Sequence, residues 1–342
     1  MGLAARWAEW PRGLAVRPRL CRSNEQVKIT DVAAAVILRE DGSFLLGQRA
    51  ADTFYPGYWE FPGGKVEAGE TPHSALIREL HEELEIEVLQ ATPWIVREHV
   101  YEHAHVRLHF FRVTRWRGEL RDHVHAALVW QHADALAVTP MLPANAPVLA
   151  ALRLPAQYGI THAWQIGVDA QLAALAAALR GGLRLVQLRE TALPEAQRNA
   201  FVAAAVSLCH DNSARVLVNG DVALAIATQA DGVHLTARQL MALQARPALP
   251  LVAASCHNRE ELAQAAGLGL DFVVLGPVQP TASHPEQSGM GWSAFRDLIA
   301  RFPLPVYAIG GLTGADLATA QGCGAHGIAA IRATWQASGV LR

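Results

Sequence analysis

Two stretches of different texture predict the fold class: a mixed α+β region followed by an α/β region of (β/α)8 barrel type. Three observations carry this. The 342 residues correspond to roughly two domains of about 150 residues each. Up to residue 154, β-patterned runs surround one strongly marked helix start. Beyond it, eight short apolar runs alternate with alanine-rich amphipathic segments, the βα rhythm of a barrel.

Composition removes several classes. Half of the chain is hydrophobic (51%), enough for two buried cores, and 29 Lys+Arg against 31 Asp+Glu leave a formal charge of −2. That balance lacks the basic excess of a protein that grips a phosphate backbone, so no direct nucleic-acid binding is expected. Cys21, Cys209, Cys256 and Cys323 stand too far apart for a CxxC motif and fit reduced thiols, hence a cytoplasmic location. The apolar run Leu172 to Leu179 is far short of the ~20 residues of a bilayer span, so no membrane association is expected. Residues 1–26 hold five arginines and two prolines without an apolar core for a signal peptide, and read as a disordered extension.

In order along the chain, Val32 to Leu38 reads as a strand, Asp41-Gly42 as a hairpin turn, and Phe44 to Gly47 as the returning strand. Thr71-Pro72 marks a helix start, with Thr71 as N-cap. Arg97 to Trp116 is one long strand or a hairpin, on which His99, His103, His105 and His109 read as surface or pocket wall. Ala146 to Leu152 forms a short amphipathic helix before Pro155. The eight later strands are placed at Ile160–Ile166, Leu183–Leu188, Val216–Val218, Gly232–Leu235, Leu251–Ser255, Phe272–Gly276, Val306–Ile309 and Gly327–Ile331. The domain expectation is therefore 27–154 for the first unit and 159–342 for the barrel, with a doubly wound open sheet as the alternative for the second.

The chemistry of the first unit lies in Gly64-Lys-Val-Glu-Ala-Gly-Glu70 and Arg78-Glu-Leu-His-Glu-Glu-Leu-Glu-Ile86. On a helix Glu79, Glu82 and Glu83 share one face, while Ile77, Leu80 and Leu84 form the neighbouring apolar stripe. Clustered carboxylates repel unless a cation lies between them, and an all-oxygen set suits Mg²⁺ or Mn²⁺. Glu82-Glu83 alone would be an ordinary solvated helix surface. The complete string resembles the Nudix box, Gly-x5-Glu-x7-Arg-Glu-U-x-Glu-Glu-x-Gly-U, with Gly64, Glu70, Arg78, Glu79, Leu80, Glu82, Glu83 and Ile86 in register. One position departs: Glu85 stands where the pattern has its last glycine, a residue suited to a positive φ at a helix end.

The resemblance implies Mg²⁺-dependent hydrolysis of a nucleoside diphosphate linked to another group. Glu79, Glu82, Glu83 and the backbone of Gly63 or Gly64 would bind metal, with Arg78 and Glu70 bracing the loop. The flanks Gln48-Arg49, Trp59-Glu60-Phe61-Pro62-Gly63-Gly64-Lys65 and Pro143-Ala144-Asn145 resemble the MutT branch, which converts 8-oxo-dGTP to the monophosphate and pyrophosphate. By that likeness Asn145 reads the purine edge, Phe61 lines the base pocket, and Arg49, Glu60 and Lys65 complete substrate binding. Asn145 could also be a turn residue, and Phe61 core. The branch's late acid before a tryptophan is absent, because Val129 precedes Trp130. The general base is left unassigned.

The barrel half resembles thiamine phosphate synthase and its TenI relatives. The matching pieces are Val186-Gln187-Leu188-Arg189-Glu190, Gly232-Val233-His234-Leu235, Gly276-Pro277, Ile309-Gly310-Gly311 and Gly324-Ala325-His326-Gly327. Gln187, Arg189, Asn219, His234, Gly276, Gly310 and Gly311 are the expected ligand-site residues. Against the synthase pattern, Thr191 replaces a lysine, Gly220 replaces the aspartate after Asn219, no acid lies between Leu235 and Leu240, and Pro280-Thr281-Ala282-Ser283-His284 lacks its lysine. Pro277 stands where TenI proteins carry a histidine. These departures predict a barrel that binds a phosphate-bearing thiazole or thiamine ligand without the synthase reaction. Two rivals to the nucleotide reading are hydrolysis of a damaged thiamine diphosphate and a barrel acting as a regulatory or interaction module.

Overall fold

The computed structural model describes residues 28–280 and 288–335. The expectations for residues 1–26 and for Thr281, Ala282, Ser283 and His284 lie outside them.

The first unit is an α+β sandwich. Its larger sheet has the order β4 (Gly63–Lys65), β1 (Ile29–Ile37), β6 (His105–Arg117), β5 (Glu87–Val100). β1 runs parallel to β6 and antiparallel to β4. A smaller sheet has the order β3 (Trp59–Glu60), β2 (Phe44–Gln48), β7 (Ala127–Gln131). The run Ala33 to Ile37 is apolar throughout because both faces of β1 are covered. Ala33, Ala35 and Ile37 pack under helix α1 (Pro72–Leu84), while Ala34 and Val36 join Phe44, Phe61 and Phe110 on the other face. Helix α2 (Ala146–Leu152) closes that second core with Val148 and Leu149.

Several expectations need correcting. The turn at Asp41-Gly42 forms, but it does not join a hairpin. After the single bridge between Leu38 and Phe44, the chain passes from the larger sheet to the smaller. For Arg97 to Trp116 the hairpin alternative holds, as the antiparallel β5–β6 pair turned at Tyr101–Ala104; only its start differs, β5 beginning ten residues earlier. Ile77 is 38% exposed; Ala75 and Leu76 join Leu80 and Leu84 on the buried stripe of α1 instead.

The second unit is a closed barrel of eight parallel strands, β8 (Gln157–Ile160), β9 (Leu185–Leu188), β10 (Arg215–Asn219), β11 (Gly232–Leu235), β12 (Leu251–Cys256), β13 (Phe272–Leu275), β14 (Val306–Ile309) and β15 (Gly327–Ala330). Closure excludes the open-sheet alternative. The connecting helices are short, α4 (Val168–Arg180) and α5 (Glu195–Asp211) being the longest, which is how the barrel fits its lean length. The run at Ile160–Ile166 is misplaced as a strand: β8 ends at Ile160, and Ala163–Ile166 is a helical turn, α3. Alternation again sorts each strand, with Leu185, Leu217, Ala253, Phe272, Tyr307 and Ala329 filling the interior and Val186, Val216, Val233 and Val252 facing the helices.

The two units meet at one junction. The β5–β6 hairpin, on its face away from α1, covers the loops that lead into β14 and β15. Val96 N–H donates to Phe302 O at 3.2 Å and Arg97 to Pro303 O at 3.0 Å. Arg112, 7% exposed, reaches the carbonyl oxygens of Ala325 and His326 and lies over the Trp94 ring at 5.3 Å. The junction therefore uses the N-terminal end of the barrel.

Candidate functional site

Helix α1 starts where Thr71 accepts a hydrogen bond from Ser74 N at 3.1 Å and Pro72 takes the first turn. Its polar face meets the Gly63-Gly64 strand. A Cβ on Gly64 would lie 2.2 Å from the Glu79 carboxyl carbon, and Gly63 N donates to Glu83 Oε2 at 3.1 Å. The glycines thus let a strand lie directly against two carboxylates. Glu82 is different: its side chain is 58% exposed and turns to Arg78 at 3.2 Å. Among the described residues no three ligating groups already converge as a metal set.

Arg78 is the organising cation. Its Nε and Nη2 donate to the two oxygens of Glu70, each at 2.9 Å, Nη2 also to Lys65 O at 3.1 Å, and Nη1 to Glu79 at 3.0 Å. The bidentate pair holds the Glu70 carboxyl down at about 2, helped by Glu67 N–H. Glu83 moves the other way. Burial first, then repulsion from Glu79, Glu60 and Asp122, push it up to about 8 against the opposing Gly63 N–H. A buried carboxylate crowded by three others is a donor set that a divalent cation relieves, so the residues present fit one.

The substrate-side residues fall into two groups. Arg49 pairs with both oxygens of Glu60 at 2.6 and 2.7 Å, and burial raises Glu60 despite Arg49 and His125. Lys65 is exposed at the end of β4. Phe61, 4% exposed, is a core residue between Phe44 and Phe110, both at 5.8 Å. Asn145 is 3% exposed and makes no N-cap hydrogen bond to α2; its Nδ2 donates to Trp59 O at 3.4 Å. Val129 packs against the cluster that contains Phe61, on the face away from α1. Each histidine of the hairpin has a local partner: His99 against Tyr101 at 4.4 Å, His103 on Phe54 at 4.2 Å, His105 with Glu98 at 3.4 Å and His109 with Asp31 at 2.7 Å. Sequence reasoning passed over Asp122 and His125, whose signal is an acid and a histidine three residues apart beside the box helix in space.

In the barrel, Gln187 and His234 point inward. Gln187 donates to Asn219 Oδ1 at 3.0 Å, while His234 lies between the Tyr158 hydroxyl at 3.2 Å and Ser255 Oγ at 2.9 Å. Burial, then Arg189, hold His234 down at about 3, so it is neutral and offers no charge to a phosphate. Arg189 is exposed beyond β9, its N–H donating to Thr161 Oγ1 at 3.0 Å. Gly276, Gly310 and Gly311 meet where the loops after β13 and β14 touch. A Cβ on Gly276 would strike Ile309 O at 2.2 Å, and one on Gly310 would strike Pro277 at 2.6 Å. Close packing already accounts for these two glycines. The acid after Asn219 is displaced by one position: Asp221 caps helix α6 (Val222–Ala227) through Leu224 N at 2.9 Å and pairs with Arg198 at 3.2 Å.

A carboxylate-faced helix locked to a glycine loop, joined to a parallel barrel, defines a phosphoanhydride hydrolase carried with a βα-barrel domain. Residues 28–152 match the family model described as NUDIX domain, and residues 157–334 the one described as thiamine monophosphate synthase (TMP-TENI). A CTP pyrophosphohydrolase of Escherichia coli (strain K12) is 41% identical over 131 residues, 36% of this chain and 92% of that protein. An 8-oxo-dGTP diphosphatase of Proteus vulgaris is 43% identical over 91 residues, 27% of this chain and 81% of that protein. A thiamine-phosphate synthase of Methanoculleus marisnigri is 38% identical over 166 residues, 47% of this chain and 78% of that protein. The chain belongs to the Nudix family, as a pyrophosphohydrolase, and through its barrel to the thiamine monophosphate synthase family.

Proposed function

We propose that the first unit is a Mg²⁺-dependent diphosphatase for oxidised purine nucleoside triphosphates, releasing pyrophosphate from 8-oxo-dGTP and leaving 8-oxo-dGMP. The observation that carries the reading is the pairing of Glu83 with Gly63 N at 3.1 Å beside Glu79 and Glu60, a crowded acidic pocket held open by Arg78 and Glu70. Glu79, Glu83 and the Gly63-Gly64 backbone would hold the cation, with Glu82 swinging from Arg78 to join them. Such an ion, when bound, neutralises phosphate charge and activates water. Arg49, fixed by Glu60, would take a phosphate oxygen. Asn145, buried and with one weak hydrogen bond, would read the base through its carboxamide, which both donates and accepts. In the barrel, the residues expected to clamp a diphosphate are absent or committed to Arg198. The barrel would bind a phosphate-bearing thiazole or thiamine compound without the synthase reaction.

The test measures pyrophosphate release with Mg²⁺ from 8-oxo-dGTP, dGTP and CTP, for wild type, Glu83→Gln and Asn145→Ala. Preference for the oxidised purine, loss of all turnover in Glu83→Gln and loss of the preference in Asn145→Ala support the reading. Faster turnover of CTP would transfer the site to cytidine nucleotides, in keeping with the name of the Escherichia coli relative.

A further inference from the structure

At the C-terminal ends of β9 and β10, under helix α5, the barrel encloses a cavity of about 20 Å³, room for a guest of about a water molecule's size. Leu188, Val202 and Val218 give it an apolar side. On its polar side Glu190 is the unusual residue, because its two carboxyl oxygens have different fates. Oε2 accepts from Trp164 N at 3.0 Å, which fixes the group in place. Oε1 has no hydrogen-bond partner among the described residues, although Glu190 is only 3% exposed. A buried carboxyl oxygen without a donor costs free energy until one arrives.

The protein itself does not supply that donor. Arg198, the cation on the cavity wall, is held by Asp221 at 3.2 Å and makes no ion pair with Glu190. Asp221 is used up in turn, since it also accepts from Leu224 N at 2.9 Å. Asn219, which lines the cavity too, has its Oδ1 bonded to Gln187 Nε2 at 3.0 Å and keeps a second lone pair. Exposed Thr191 stands at the rim. With Arg198 and Asp221 cancelling each other, the carboxyl group of Glu190 is the charge left over.

Going beyond the two readings above, we propose that this cavity binds an ammonium group, either the free ion or the head of a small primary amine. Such a group has nearly the size of water and carries three or four N–H donors. It can donate to Glu190 Oε1 and to Asn219 Oδ1, and it brings the positive charge that a buried carboxylate needs. A phosphate has neither the size nor the sign.

The experiment follows thermal denaturation of the full chain at one ionic strength in ammonium, methylammonium, potassium and tetramethylammonium chloride. Wild type is compared with Glu190→Gln and Val202→Met. At about 100 mM, ammonium raises the wild-type midpoint by about 3 °C over tetramethylammonium, as expected of a ligand with Kd about 10 mM on a barrel of this size. Glu190→Gln keeps an acceptor for Trp164 N and loses the response. Val202→Met leaves the acid in place but fills the space, and loses it as well. A shift with methylammonium at least as large as with ammonium assigns the site to an organic amine, and a shift with ammonium alone assigns it to the ion; each supports the proposal. Equal midpoints in all four salts, an equal rise with potassium, or a response that survives in folded Glu190→Gln overturns it, and the cavity then holds water only.

Discussion

Glu85 shows how one residue can break a motif and keep its geometry. It ends α1 with φ 54 and ψ 27, the left-handed conformation that glycine adopts cheaply, and its N–H still bonds to His81 O. Arg121 at 3.2 Å and His123 at 2.8 Å hold its carboxylate. These are exposed pairs of small worth. Glu85→Gly should therefore raise stability by about 1 kcal/mol, read as a higher denaturation midpoint with kcat unchanged. Glu70 gives a pH signature. Its folded-state carboxyl is held near 2, below the ordinary value, so its stabilisation is present above pH ~4.5 and is lost as pH falls through that value toward 2. Glu70→Gln should be less stable than wild type at pH 7, with the gap closing on acidification. At this scale the box residues were legible because their spacing is unusual. Asp122 and His125 were not, since they meet Glu60 and α1 only after the sheets assemble.

At the scale of elements, the cap of α1 separates stability from chemistry. Thr71→Ala removes the acceptor for Ser74 N and should cost about 1 kcal/mol while leaving kcat within twofold, because the glutamates lie two and more turns away. Urea unfolding and initial rates on the same sample check both halves of that expectation. The elements the sequence placed best are those with local signals: the Thr71-Pro72 start, α2, and the strands Gly232–Leu235 and Val306–Ile309. It misled where the deciding partner is distant. Asp41-Gly42 turns the chain, but β1 finds β6 and β4 while β2 finds β3 and β7. The run after Ile160 is apolar enough for a strand, yet strand pairing stops there and Ala163–Ile166 coils instead.

For the whole molecule, Arg112 is the buried arginine that ties the two units, beside the links from Val96 and Arg97. Burial pulls its guanidinium down to about 10, and it is stabilised in place by the Ala325 and His326 carbonyls and the Trp94 ring. Arg112→Ala takes the guanidinium from the Ala325 carbonyl, at about 1–3 kcal/mol unless water replaces it, while the His326 carbonyl keeps Gln321 Nε2 at 3.3 Å. Calorimetry should then resolve separate transitions for the hydrolase and the barrel; a single transition at the wild-type temperature would show that the arginine contributes nothing to the coupling. No part of this junction was legible beforehand, since an arginine on a β-patterned run has the same appearance whether it meets water or a second domain.

The junction occupies the N-terminal end of the barrel and the sheet face turned away from α1. The Arg112, Val96 and Arg97 contacts reach neither α1 nor the C-terminal ends of the barrel strands. What a single polypeptide enforces here is equal dosage and joint turnover of the hydrolase and the barrel.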